Sequence, residues 1–372
     1  MNAIHQLLTH FQLQGTVQLV RPLGNGLIND TYLVSTLESD APDYVLQRIN
    51  HHIFQNVEGL QRNIEAVTRH IRRKLEAAGA DDLDRRVLQL VPTLDGKSWY
   101  YDGSDYWRIT RYIPDSQTFD LVDPYYSRLA GEAFGQFEAM LADLDEQLCE
   151  TIPDFHNMEF RYRQFQEALA QDAVGRRESV APLVDEIARR VDEMCQAERL
   201  YREGRLPKRI CHCDTKVNNM LFDAPTGRVL CVVDLDTVMP SFVSSDYGDF
   251  LRTAANTVAE DDPNLDRVQF RLDIFEAFTE GYLASAGSFL TPLEVELLPY
   301  AVRLFPYMQA TRFLTDYLNG DTYYKIQYPE HNLVRTRNQL TLLHRIEEHA
   351  TDIAQTVRRL SNLPKHSSLE SA

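Results

Sequence analysis

The stretch Ile210–Asp223, "ICHCDTKVNNMLFD", sets a histidine, two acids, a lysine and two asparagines between apolar ends. Transfer of a phosphoryl group from a nucleoside triphosphate asks little covalent chemistry of a protein. It requires a carboxylate to orient the acceptor hydroxyl, oxygen ligands for a divalent cation, and positive charge on the phosphates. In His212-x-Asp214-x-x-x-x-Asn219, Asp214 is placed to accept the hydroxyl proton and Asn219 to offer a neutral oxygen to Mg2+, with His212 as a scaffold residue. Further on, "VLCVVDLDTVMP" is an apolar strand that ends in acids. Asp234 is the expected second magnesium ligand, and Asp236 is its less certain neighbour. Taken singly these features are commonplace, because an H-x-D is more often structural and an acid after a strand is usually a turn or a cap. Their order and spacing together point to a kinase.

The remaining parts are sought upstream. "PLGNGLINDTY" suits a hairpin turn over phosphates, with Gly24, Asn25 and Gly26 letting backbone N–H groups approach a nucleotide; the plain alternative is a β-turn. A cation on the third strand, paired with an acid on the following helix, should clamp the phosphates. A lysine is missing there. "YVLQRIN" offers Gln47 or Arg48, and the helix offers Glu65 or, second, Glu58; Arg48 with Glu65 is the expected clamp.

The elements that must position these residues follow from periodicity. Strand-like runs "TVQLVRPL", "DTYLVST", "DYVLQRI", "VLQLVPT", "SWYYD" and "YWRITRYI" fill the first third. One helical stretch interrupts them, with Leu60, Ile64, Val67 and Ile71 at helical spacing and Gly79 as its stop. From Asp123 the pattern is helical, with helices expected over 124–148, 158–173, 180–202, 263–285, 292–318 and 330–360. The reading is an α+β chain: a β-rich nucleotide-binding lobe over 1–112, a larger helical lobe with the catalytic loop and acceptor site over 113–362, and a disordered tail over 363–372.

Composition excludes several classes. With 372 residues, 44% of them hydrophobic, the chain can bury a large core. A formal charge of -17 disfavours a nucleic-acid partner. No run approaches the roughly 20 apolar residues of a membrane helix, and the start lacks the pattern of a signal peptide, so a cytoplasmic protein without membrane attachment is expected, monomer favoured. Five cysteines show no paired spacing, and Cys211, His212 and Cys213 lack the two separated pairs of a structural zinc site.

"HCDTKVNN" and "VVDLDTV" resemble the aminoglycoside phosphotransferase and choline kinase superfamily, which has a protein-kinase-like two-lobed fold. "GNGLINDTYLV", "YVLQRIN", "YWRITRYI", "SSDYGDFLR" and "TRFLTDYLNGDTYY", together with those two, look more narrowly like the N-acetylhexosamine 1-kinases. That resemblance implies ATP- and Mg2+-dependent phosphorylation of the anomeric hydroxyl of N-acetylglucosamine or N-acetylgalactosamine. It implies Asp214 as base, Asn219 and Asp234 as metal ligands, Arg312 and Tyr323 as sugar contacts, and Asp246 and Asp249 as scaffold acids. Eleven positions apart, or three helical turns, Arg312 and Tyr323 are expected to line one wall. Where relatives often carry a histidine this chain has Leu27; Asn29 and Asp30 remain to reach the acceptor. Two alternatives stay open: the same chemistry on another sugar, a choline-like amino alcohol or an aminoglycoside, and a non-catalytic nucleotide-binding relative.

Overall fold

The computed structural model describes residues 3–24, 29–119 and 123–361. The expected tail and the positions Asn25, Gly26 and Leu27 lie outside the described residues. The chain forms two compact units. The first comprises Met1–Thr118, Met140–Pro153 and Asn219–Met239; the second comprises Phe119–Ala139, Asp154–Asn218 and Pro240–Ala372.

In the first unit the strands appear where alternation predicts them. Helix α1 (Ala3–Leu8) precedes β1 (Val17–Pro22), β2 (Asp30–Thr36) and β3 (Tyr44–Ile49), followed by α2 (Val57–Ala77), the short α3 (Leu83–Arg86), β4 (Leu90–Val91), β5 (Tyr100–Tyr101), β6 (Tyr106–Arg111) and β7 (Ser116–Gln117). The main sheet runs β1-β2-β3-β6-β4, with β5 on β6, and its paired strands are antiparallel. Period-two alternation gives it two faces. Tyr44 and Leu46 with Trp107 and Ile109 join Leu7, Leu8 and Phe11 in a core, so Gln47 and its cross-strand partner Arg108 point to the other face. Helix α2 buries Leu60, Ile64, Val67 and Ile71. Asn56 caps it by accepting from Gly59 N at 2.9 Å. At its end Gly79, at φ +67°, permits the reversal in which Gly79 N donates to Glu76 O and Ala80 N to Leu75 O.

This unit extends past the expected boundary at 112 for identifiable reasons. β7 pairs with β9 (Met220–Asp223), Ser116 opposite Asp223, and β9 in turn pairs with β10 (Val229–Val232). The buried Asn63 side chain on α2 donates to Cys149 O at 2.8 Å and Val238 O at 2.9 Å and accepts from Cys149 N at 3.1 Å. One amide thus ties both later segments to the first.

The second unit is helical: α4 (Pro124–Leu141, of which the part to Ala139 belongs here), α5 (Met158–Gln171), α6 (Ala181–Ala188), α7 (Val191–Met194) and α8 (Gln196–Arg202) precede β8 (Arg209–Cys211). After β11 (Met239–Ser241) come α9 (Ser244–Ala254), α10 (Leu272–Ala286), α11 (Pro292–Glu296), α12 (Leu298–Leu318), α13 (His331–Glu348) and α14 (Ala350–Ser361). Three of the expected helices are broken. The 180–202 segment divides into α6, α7 and α8, and the carbonyls of Ile187 and Met194 are taken by the Tyr307 and Tyr300 hydroxyls of α12 at 2.9 and 2.7 Å. The 292–318 segment divides where Pro299, which has no N–H to donate, enters at the start of α12. The 330–360 segment divides at His349. The helix expected from 263 begins only at Leu272, because Asn264 caps a separate short turn over Leu265–Arg267 and Asn256 bridges to Phe270. The helix expected over 124–148 ends at Leu141. α12 runs through the centre of this unit, with Leu304, Tyr307, Met308 and Leu314 buried against α5, α7 and α13. Helices α4 and α10 cross closely at glycines: a Cβ on Gly131 would meet Phe278 O at 2.1 Å and one on Gly281 would meet Arg128 O at 2.0 Å. All five cysteines are unpaired thiols.

Candidate active site

In the second unit, β8 delivers the chain into the loop that holds His212 and Asp214. His212 is wholly buried, with the rings of Phe134 and Phe137 each 5.9 Å away. Asp246 on α9, also wholly buried, accepts from His212 N and Cys213 N, both at 2.7 Å, and Thr215 Oγ1 donates to the Asp246 carbonyl at 2.7 Å. Three bonds to one residue hold Cys213 at φ 62°, a left-handed conformation that costs an ordinary residue about 1–3 kcal/mol. Burial pushes the Asp246 carboxyl above its usual range, against the pull of His212 and the two N–H donors. Burial, and then the charge of Asp246, pushes neighbouring Glu138 well above its own, while the Tyr282 hydroxyl donates to Glu138 Oε2 at 2.5 Å. Both acids are thus raised, Glu138 the more strongly, because it lacks the two backbone N–H donors that draw Asp246 back down.

That scaffold presents Asp214 half-buried, with Lys216 Nζ 2.7 Å from Asp214 Oδ1. Burial pulls the Lys216 ammonium down, but Asp214's charge and hydrogen bond outweigh it and leave its pKa raised. Behind them, buried Asp249 and Arg252 pair at 3.2 Å, and Arg252 also reaches Glu260 at 2.8 Å. A cavity of about 710 Å³ opens beside this loop, lined by Lys216, Val217, Asn218, Tyr126 and Thr253 among others.

The expected metal ligands lie in the first unit, at the open end of the β9–β10 hairpin. Asn219 precedes β9, Asp234 follows β10, and Val233 N donates to Asn219 O at 2.9 Å, which fixes the two side by side. Asn219 is buried and Asp234 exposed, with Asp234 at φ 58°, ψ 55° as the chain enters a short turn over Leu235–Thr237. One amide oxygen and one carboxylate form a hard-oxygen donor set that suits Mg2+. Asp236 is not part of it. It is buried in an ion pair with Arg108 and accepts from Asn29 Nδ2 at 2.6 Å. Asn29 Oδ1 in turn accepts from Asn50 N at 2.9 Å, and Gln47 Oε1 accepts from Arg108 Nε at 2.9 Å.

This network corrects the upstream expectations. Arg48 does not meet Glu65; it is paired with Asp30 on β2 and with Asp105, and its side chain is 45% exposed. The pleat explains this: Arg48 shares the face of Tyr44 and Leu46 at the strand's end, whereas Gln47 faces Arg108. Asp30 and Asn29, expected at the acceptor, are committed to Arg48 and to Asp236. Gly24, at φ +69°, sits in the turn whose first rung is Leu23 N to Thr31 O at 2.9 Å.

Arg312 and Tyr323 come together, but not by helical turns. α12 ends at Leu318, Asp321 turns at φ 62°, and the chain folds back so that Tyr323 lies 6.0 Å and Tyr324 5.7 Å from the Arg312 guanidinium. Asp316 secures the return by accepting from the backbone N–H groups of Thr322, Tyr323 and Tyr324 at 2.8–2.9 Å.

The phosphotransferase enzyme family matches residues 19–285, well over half the chain and inclusive of the Asp214 loop, Asn219 and Asp234. The chain belongs to that family. A solved structure of a microcompartment-associated aminopropanol kinase superposes with a TM-score of 0.62 at 17% identity, covering 94% of this chain and 98% of that one. An aminoglycoside phosphotransferase from Alicyclobacillus acidocaldarius gives 0.61 at 13% identity over 94% and 95%. An amicoumacin kinase in complex with AMP-PNP, Ca2+ and Ami gives 0.56 at 14% identity over 95% and 94%. These likenesses show that the antiparallel sheet and the helical unit are those of the protein-kinase-like phosphotransferase fold.

Within this phosphotransferase, sequence reasoning passed over Lys216 and Arg108. Lys216 had a local signal, since a loop residue two positions from an acid can pair with it. Arg108 had only a weak one: a cation alternating with Trp107 and Ile109 in a strand must find an acid if its face is covered. No helix among the described residues is long and apolar enough to cross a membrane.

Proposed function

We propose that this phosphotransferase is an ATP- and Mg2+-dependent kinase that phosphorylates the anomeric hydroxyl of an N-acetylhexosamine. The carrying observation is Asp214 held 2.7 Å from Lys216 on a loop pinned by Asp246. Asp214 orients the acceptor hydroxyl and takes its proton as the oxygen attacks in line. Lys216 balances the charge on the transferred phosphoryl group. Asn219 and Asp234 would hold the cation, which would supply charge neutralisation at the phosphate oxygens. The AMP-PNP in the amicoumacin kinase structure supports a triphosphate donor.

The sugar assignment is supported by the motifs that resemble N-acetylhexosamine 1-kinases and by the charge around Arg312. A cationic acceptor, such as the amino alcohol in the aminopropanol kinase's name, calls for acids or an aromatic cage free of cations. Arg312 stands among Phe155, Tyr323 and Tyr324 instead. The test is ADP release with N-acetylglucosamine, N-acetylgalactosamine, choline, 1-amino-2-propanol and kanamycin, with the product's phosphorus located by NMR. Turnover on an N-acetylhexosamine with phosphate on C1 is expected, and Asp214→Asn lowers it roughly 100- to 10,000-fold. Turnover only on a cationic alcohol would overturn the sugar; near-normal turnover in Asp214→Asn would overturn the base.

A further inference from the structure

In the second unit two guanidinium groups converge on one residue. Arg161 on α5 donates from Nε and Nη2 to Phe155 O at 3.0 and 2.8 Å, and Arg312 on α12 stands 5.3 Å from the centre of the Phe155 ring. Their other side-chain bonds go to neutral amides, Arg161 to Gln164 Oε1 at 2.9 Å and Arg312 to Gln309 Oε1 at 3.1 Å. Among the described residues, no carboxylate forms an ion pair with either. Five other inward-facing arginines do have one: Arg108 has Asp236, Arg252 has Asp249 and Glu260, Arg209 has Glu294, Arg190 has Glu347 and Arg176 has Asp321, whereas among the described residues Arg335 bonds only Lys325 O and Asn332 Oδ1. In a chain with 55 acids to 38 bases, two adjacent half-buried cations were left without one.

Like charges brought out of water repel unless an anion joins them. Burial, and next the charge of Arg312, pull the Arg161 pKa down to about 10; Tyr324, Tyr323 and last Asp154 offset only part of this. A second observation marks the same place. His156, whose ring stacks on Phe155 at 4.3 Å and meets Phe305 at 4.9 Å, has a buried Nδ1 with no hydrogen-bond partner. Burial, then the charges of Arg312, Arg161 and Arg252, hold it well below its ordinary pKa, so it is neutral and adds no third charge. Arg252 pairs with Asp249, which feels the charges of Asp214 and Lys216, so the cluster adjoins the catalytic loop electrostatically.

We propose that Arg161 and Arg312, walled by Phe155, Tyr323 and Tyr324, form a subsite for an oxyanion carried by the acceptor, a carboxylate, sulfate or phosphate, so that the acceptor is an acidic N-acetylhexosamine rather than the neutral sugar. The acceptor's identity rests on the kinase reading above; the oxyanion subsite does not. A planar guanidinium pair offers donors in the geometry that such oxygens accept.

The experiment compares N-acetylglucosamine with its 6-sulfate, its 6-phosphate and the corresponding uronic acid, in wild type, Arg161→Gln and Arg161→Lys. In wild type kcat/KM should favour an acidic sugar by on the order of 10- to 100-fold at low salt. The preference should shrink in 0.5 M NaCl, collapse toward one in Arg161→Gln, and return in part in Arg161→Lys. Equal or better use of the neutral sugar by wild type would overturn the proposal. So would an acid preference that survives Arg161→Gln, or a variant whose defect is a raised KM for ATP with acceptor preference intact. If no sugar is turned over, the kinase reading falls, and thermal shifts decide the subsite alone. Stabilisation of wild type by the 6-sulfate but not by N-acetylglucosamine, absent in Arg161→Gln, upholds it, and equal shifts overturn it.

Discussion

Asp236 and Asp246 stand ten positions apart, both all but excluded from water, and the molecule neutralises them in opposite ways. Asp236, in the first unit, is matched by a full cation, Arg108, with Asn29 filling a remaining lone pair. Asp246, in the second, has no cationic side chain hydrogen-bonded to it among the described residues. It is satisfied by the N–H groups of His212 and Cys213, with Glu138, its pKa raised well above the ordinary value, beside it. An ion pair fixes two side chains. Backbone N–H donors fix main chain, and the raised Glu138 carboxyl makes that half of the scaffold sensitive to pH. The second arrangement sits where a loop must be held in a strained shape, because only bonds to its backbone can do that.

The sharpest way to break the comparison is to remove the cation. Arg108→Met should strand a buried Asp236 charge and lower stability by about 3–5 kcal/mol in urea unfolding, and a further Asp236→Leu should recover much of it. Glu198 provides a third case, a buried acid with one backbone donor, Met158 N at 2.7 Å. Burial raises its pKa from 4.5 to about 7. Its unfolded form ionises first as pH rises, so stability is full below pH 4.5 and falls by about 3 kcal/mol by pH 7; Glu198→Gln should remove that fall in unfolding free energies measured from pH 4 to 8.

Asp246→Asn keeps the shape but offers one acceptor oxygen for two N–H groups. A loss of about 1–3 kcal/mol is expected, appearing in turnover more than in nucleotide affinity, since what relaxes is the loop carrying Asp214. The gentlest probe is Glu138→Gln, whose amide oxygen can still accept from Tyr282. Wild type should lose up to about 1.4 kcal/mol per pH unit above pH 4.5 while folded Glu138 retains the proton its unfolded form has released, and the variant should lack that slope. Identical slopes would mean that burial does not hold Glu138 above its ordinary pKa.

Local pattern carried much of the architecture. Alternation located the six strands of the first third, and helical spacing with Gly79 as the stop located α2 to within a residue or two, the Asn56 cap going unread. Asp214 stood out through its spacing to His212 and Asn219, and Asp234 because it ends an apolar run, where a carboxylate has to face something other than core. Pattern failed where a residue's neighbour lies far along the chain. Arg48 was preferred to Arg108 because "YVLQRIN" stands on the expected strand, whereas the acid that selects Arg108 lies 128 positions away. Tyr323 was placed by counting helical turns, but the helix stops at Leu318 because the Asp316 carboxylate captures the next backbone N–H groups.

By itself, then, the sequence determined what period and residue type dictate: an antiparallel sheet with one long helix, a helical remainder, and one short loop rich in oxygen donors. Only the tertiary structure decided which charges are neutralised and which are not. Charge pairing in a low-dielectric interior depends on distances between segments that share no local pattern, and so Asp236 gained Arg108 while Arg161 and Arg312 were left facing each other.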